Sequence, residues 1–135
     1  MARRTSVSPH VVRGVLDRDN YKCVYCGGSI AGAERGMDWS LHHRRARGMG
    51  GSRDPVANSH PNLVVLCGSG VTGCHGWVES QRSAARDLGY LVSWPRDPAT
   101  VPIHVALTAA PHGTKPVRGL YLLTNDGTRT AVKHV

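Results

Sequence analysis

Four cysteines fall in two pairs, Cys23 with Cys26 and Cys67 with Cys74, and no other feature limits the possible folds as tightly. His42, His43 and Asn62 lie between the pairs, and His75 directly follows the last cysteine. The two residues between Cys23 and Cys26 give the spacing of a tight knuckle whose thiolates reach one tetrahedral ion. Six residues separate Cys67 from Cys74, a wider gap than usual. The intervening Gly68-Ser69-Gly70-Val71-Thr72-Gly73 is glycine-rich enough to loop out and let the sulfurs converge. A four-thiolate zinc site is the expected outcome. Three thiolates plus His75 in place of Cys74, two disulfides, or buried free thiols without an ion are the competing readings.

Composition strengthens the metal reading. The chain has 135 residues, no Phe, 5% aromatics, 16 Gly and 8 Pro, so one domain with a thin core is expected. Small, weakly packed domains commonly depend on a metal or on disulfides. The basic opening Met1-Ala2-Arg3-Arg4-Thr5 lacks the apolar stretch of a signal peptide, and no run of residues is apolar enough for a membrane span. A cytoplasmic protein with reduced thiols is the expectation. The formal net charge of +8 calls for an anionic partner without saying which one.

Local patterns suggest a mixed α+β chain. Residues 1–7 read as a basic arm. Ser8-Pro9 reads as an N-cap and first helical residue, and Val11, Val12, Val15 and Leu16 give residues 9–18 one apolar helical face. Residues 37–43 alternate as a strand, with Trp39 and Leu41 on one face and Asp38, Ser40 and His42 on the other. A long basic loop over 44–61 carries Arg44, Arg45, Arg47 and Arg53, which are candidate phosphate contacts or simply a solvated basic loop. Leu63-Val64-Val65-Leu66 predicts a buried strand. Residues 74–88 predict one helix ending at Gly89, and strands are expected at 90–94, 102–108, 119–124 and 128–133. Asn125-Asp126-Gly127 is a turn signal between the last two. The expected organisation is an arm and helix over 1–20, a core over 21–89 and a strand-rich segment over 90–135.

Adjacent strand residues point to opposite faces, so His42 can bind an ion while His43 meets a water. Glu79 lies four residues beyond His75, on the same helix face. A hairpin bearing His42-His43 against a helix bearing His75 makes a plausible one-metal cradle. Asn62 is either an ordinary turn residue or an anchor whose amide ties the long loop down and so orients the base.

Taken together, these segments resemble the HNH nuclease family. The matching pieces are Tyr21-Lys22-Cys23-Val24-Tyr25-Cys26, Leu41-His42-His43-Arg44-Arg45-Ala46-Arg47-Gly48-Met49-Gly50-Gly51, Asn62-Leu63-Val64-Val65-Leu66-Cys67 and Gly73-Cys74-His75-Gly76-Trp77-Val78. They fall within residues 21–80, somewhat under half of the chain. The size and the strand-rich tail resemble the small HNH endonucleases of bacteriophages and prophages, some of which assist terminase in DNA packaging.

The resemblance implies a ββα-metal (His-Me finger) core, double-stranded DNA as substrate and terminase subunits as possible partners. It implies that His42 holds a catalytic divalent metal, that His43 is the general base, that Asn62 is the middle residue of the motif and that His75 is the second metal ligand. Many members carry a further ligand, often His, where this chain has Glu79, so the role of Glu79 stays open. The structural zinc ligands carry over to Cys23, Cys26, Cys67 and Cys74. Two histidines favour Mn²⁺, Ni²⁺, Co²⁺ or Zn²⁺ by affinity, and cellular abundance favours Mg²⁺. Two rivals remain: a zinc-stabilised DNA-binding module without catalysis, and a restriction-type HNH enzyme acting on modified DNA.

Overall fold

A computed structural model describes residues 6–46, 54–110 and 115–132. Helix α1 spans Pro9–Arg18, where the expected cap forms: the Ser8 hydroxyl accepts from the Val11 amide at 3.3 Å. Asp19 ends the helix and is tied into the interior. Its carboxylate pairs with Arg18 at 2.8 Å and accepts from the Val65 amide at 3.0 Å, while Arg18 donates to the His60 and Leu63 carbonyls. These bonds fix the end of α1 against strand β2.

Strands β1 (Trp39–His43) and β2 (Leu63–Cys67) pair antiparallel, with Trp39 opposite Cys67 and His43 opposite Leu63. β2 is covered on both faces, which explains its unbroken apolar sequence. Leu63 and Val65 join Val15, Ile30 and Trp39 in one cluster. Val64 and Leu66 join Val78, Tyr90, Ile103 and Leu123 in another. The alternation of one strand therefore divides a small core in two. Trp39 and Leu41 face the α1 side, and His42 is left facing the opposite layer.

That layer holds α2 (Gly73–Ser80), α3 (Arg82–Asp87) and a sheet ordered β3 (Ile103–Ala106), β4 (Arg118–Leu123), β5 (Arg129–Ala131). Gly127, at a φ of 85°, supplies the expected turn between β4 and β5. Among the described residues, three α-helices and two small antiparallel sheets make the fold α+β. No helix among the described residues is long and apolar enough to cross a membrane.

Two expectations fail. The single helix over 74–88 is two, because Gln81 leaves helical geometry at φ −114° and ψ 57°. Val78 and Ala85 are the buried anchors on either side, and no buried residue between them holds the backbone straight. Residues 90–94 are not a strand either. Tyr90, Leu91 and Val92 are buried, but their backbone makes scattered bonds: the Tyr90 amide donates to the Ala85 carbonyl at 2.9 Å, the Val92 amide to the Arg44 carbonyl at 2.8 Å, and the Tyr90 carbonyl accepts from His42. An apolar run signals burial more surely than it signals ladder pairing.

Candidate metal centres and an adjoining cavity

The Cys23–Cys26 knuckle closes through paired backbone bonds, Cys23 N to Gly28 O and Gly27 N to Cys23 O, both at 2.8 Å. The Cys67–Cys74 loop closes because two glycines sit where no side chain fits. A Cβ on Gly68 (φ 84°) would lie 2.1 Å from the Thr72 carbonyl oxygen, and one on Gly73 (φ 59°) 2.8 Å from that of Cys67. The sulfurs of Cys23, Cys26, Cys67 and Cys74 all lie within 4.8 Å of one another, and all four residues are free cysteines. Cys26 and Cys67 Sγ are 4.0 Å apart, against about 2.05 Å for a disulfide and about 3.8 Å for two ligands of a tetrahedral zinc.

Backbone amides support two of these sulfurs: Gly28 N donates to Cys26 Sγ and Cys74 N to Cys67 Sγ, both at 3.4 Å. The thiols titrate unequally, chiefly through hydrogen bonds among themselves. Cys23 and Cys74 are pushed up, Cys26 is pushed down, and Cys67 falls to about 7. A cation at the centre would displace the remaining protons and take up the charge of four thiolates. The cluster can hold a metal such as zinc.

A second cluster adjoins the first, because Cys74 and His75 are neighbours at the start of α2. Donor atoms of His42, His75 and Glu79 lie within 4.8 Å of one another. His42 is buried, and its Nε2 donates to the Tyr90 carbonyl at 2.7 Å, which leaves the lone pair on Nδ1. Nδ1 is 3.7 Å from Glu79 Oε1, and His75 Nε2 is 3.6 Å from the same oxygen. Burial pulls His42 down to about 3, with the neighbouring His75, His43 and Arg44 adding to the effect, so it is neutral near pH 7. Its contact with Glu79 is therefore not an ion pair.

His75 is also pushed below its ordinary value, again mainly by burial, and its Nδ1 has no hydrogen-bond partner among the described residues. Arg82 donates to the other Glu79 oxygen at 3.1 Å and holds the carboxylate in place. Two neutral imidazoles and one anchored carboxylate form a donor set suited to a divalent ion, and the Tyr90 carbonyl fixes the tautomer of one of them.

His43 points elsewhere. Its Nε2 lies 2.9 Å from Asn58 Oδ1; with that oxygen accepting, Nε2 carries the proton and Nδ1 is the basic atom. His43 lines an open cavity of about 340 Å³ together with Glu79, Arg82, Arg86 and Trp94. Asn62 is fully buried and supports this loop from beneath. Its Oδ1 accepts from the Arg45 amide at 2.7 Å, and its Nδ2 donates to the carbonyls of Arg45 at 3.1 Å and Ala57 at 2.9 Å. Asn62 thus ties both ends of the long loop together, and Asn58 makes the direct contact with His43.

The basic residues require a correction. Arg44 is 1% exposed, and its guanidinium donates to the carbonyls of Gly89, Pro61, Pro98 and Val101. Burial, with Arg18 nearby, lowers it to about 9, so it is charged at neutral pH. Arg45 is buried too, paired with Asp54 at 2.5 Å. Neither guanidinium is presented to solvent to grip a phosphate, because carbonyl and carboxylate acceptors from other segments of the chain draw both inward. Arg47 and Arg53 lie outside the described residues.

Sequence reasoning did not single out Asn58, Arg82, Arg86 or Trp94. Asn58 meets His43 across the long loop, where no periodicity marks it. Compared with models of known protein families, with characterised proteins and with solved structures, the chain gives no match in any of the three.

Proposed function

We propose that the chain is a metal-dependent DNA endonuclease of the HNH type, with β1, β2 and α2 as its ββα-metal core. The observation that carries this reading is the side-by-side placement of two different groups. His42, His75 and Glu79 form a mixed nitrogen and oxygen donor set, and the next residue, His43, is an oriented imidazole lining an open cavity. Three ligands beside an open space suit catalysis, whereas the four cysteines suit a closed structural zinc.

His43 Nδ1 accepts the proton of a water as its oxygen attacks phosphorus. The P–O3′ bond breaks on the opposite side, leaving 5′-phosphate and 3′-hydroxyl ends, with solvent supplying the proton to the leaving oxygen. A divalent ion on His42, His75 and Glu79 would polarise the phosphoryl oxygen and stabilise the leaving oxygen. Asn58 keeps the base in one tautomer. Arg82 and Arg86, on the cavity wall, replace Arg44 and Arg45 as the phosphate contacts. A phage origin and a terminase partner rest on the sequence resemblance alone.

The test is conversion of supercoiled plasmid to nicked or linear DNA with Mg²⁺, Mn²⁺, Ni²⁺, Co²⁺ and Zn²⁺ in turn, wild type beside His43→Ala. Cleavage by wild type alone is the expected result. Retained DNA binding with no cleavage under any ion would favour the non-catalytic binding module.

A further inference from the structure

We propose that Trp94 is a stacking platform for a nucleobase outside the duplex stack, so that the preferred substrate is DNA with an unpaired nucleotide at the cut site. This deepens the nuclease reading and rests on it for the identity of the cut site.

Trp94 is a large aromatic residue left 60% exposed, in a chain where most large apolar side chains are buried. It is nevertheless held in place. The Arg45 guanidinium lies 4.3 Å from the centre of its ring. Arg45 is itself fixed by Asp54 and by hydrogen bonds to the carbonyls of Pro95 at 3.4 Å and Arg96 at 3.1 Å, the two residues that follow the indole. The ring therefore rests on an immobilised cation, and little side-chain freedom remains to be lost when a second flat group arrives.

Its position relative to the base is also set by the backbone. The Val92 amide bonds the carbonyl of Arg44, the residue after His43, which brings Trp94 to the wall of the cavity that His43 lines. Arg82 and Arg86 line the same space, so phosphate-binding and base-binding groups meet there. A volume of about 340 Å³ is at the small end of the range for ligand pockets, about 300–1,000 Å³. That is the size of a pocket for a single small group. In an intact duplex the base faces are covered by their neighbours and only their edges are accessible. An indole face can be used only by a base that has left the stack. A mismatch, gap or flap presents such a base at the lowest cost.

The test uses full-length His43→Ala protein, zinc-loaded, so that binding is read without cleavage. Fluorescence anisotropy should show about tenfold tighter binding to a labelled duplex with one unpaired nucleotide than to the same duplex fully paired. Adding Trp94→Ala or Trp94→Leu should remove that preference while leaving affinity for the paired duplex unchanged, which also reports that the fold is intact. Trp94→Phe should keep most of it. A 2-aminopurine at the unpaired position should be quenched by the protein with Trp94 and not by the Trp94→Leu form. Equal affinity for the two duplexes, or a preference that survives Trp94→Leu, overturns the proposal. Failure of wild type to cut either plasmid or the duplex with the unpaired nucleotide would count against the nuclease reading alone, since these binding measurements need no cleavage.

Discussion

The two donor clusters share the β1–β2 hairpin and the first turn of α2, yet they are built for different tasks. The sulfur cluster takes its ligands from the Cys23–Cys26 knuckle and from the end of β2 and the start of α2, on either side of a glycine-shaped turn; it is chemically uniform and, among the described residues, offers four donors. The histidine cluster takes its ligands from a strand and a helix, mixes nitrogen with oxygen and, among the described residues, stops at three donors. Ligands that flank a tight turn can close around an ion because the turn bends to suit it. Ligands on a strand and a helix are fixed by packing, so the ion must accept the geometry it finds and can keep a position for substrate. Cys74 and His75 serve different clusters from consecutive positions because neighbours on a helix point about 100° apart.

The sharpest way to break this comparison is to remove each ion's ligands in turn. Structural zinc contributes about 10–16 kcal/mol in small zinc domains, as much as the whole stability of most domains. Cys23→Ser should therefore lose cooperative thermal unfolding, while His75→Ala should melt cooperatively and retain one zinc by elemental analysis. A folded, zinc-free Cys23→Ser protein would show that the sulfur cluster is dispensable.

The next effect is catalytic. His43→Ala should lower the cleavage rate by roughly 10²–10⁴-fold with little change in melting temperature, because the base acts only in the transition state. Asn58→Ala should fall between this variant and wild type. If His42→Ala alone is inactive and His43→Ala cuts normally, the two histidines have exchanged roles.

Arg44 extends the contrast to the basic residues. Arg44→Met leaves four buried carbonyls without their donor. It should cost on the order of 3 kcal/mol in chemical denaturation, because unsatisfied buried groups are expensive. Arg86→Ala, at an exposed position, should leave stability nearly unchanged and weaken DNA binding with a shallower salt dependence. The reverse pattern would return Arg44 to the DNA interface.

The smallest expected effect concerns Glu79. As a ligand, its carboxylate favours harder ions, so Glu79→Ala should lose activity most at low Mg²⁺, and Glu79→His should shift preference towards Ni²⁺ or Zn²⁺. An unchanged metal-activation curve for Glu79→Ala would leave His42 and His75 as the pair that holds the ion.

Much of this could be read locally. The Ser8 cap, the Trp39 and Leu41 face of β1 and the Asn125-Asp126-Gly127 turn follow from side-chain chemistry and periodicity within a few residues. The glycines between Cys67 and Cys74 announced a loop able to fold back, and four residues between His75 and Glu79 announced a shared helix face. Such features depend on torsions and neighbours along the chain, which the sequence by itself determines.

Tertiary structure decided where polar groups found their partners. Arg44 and Arg45 look like solvated cations in a basic loop, yet carbonyls of residues 61, 89, 98 and 101 and the Asp54 carboxylate draw them inward. Residues 90–94 look like a strand, yet their backbone bonds go to separate partners, among them Ala85, the His42 side chain and Arg44. Asn58 has no local mark at all, and Trp94 reaches the cavity only because Arg44 and Val92 are joined. A hydrogen bond is satisfied by whichever acceptor the folded chain brings within reach, and no local pattern encodes that acceptor.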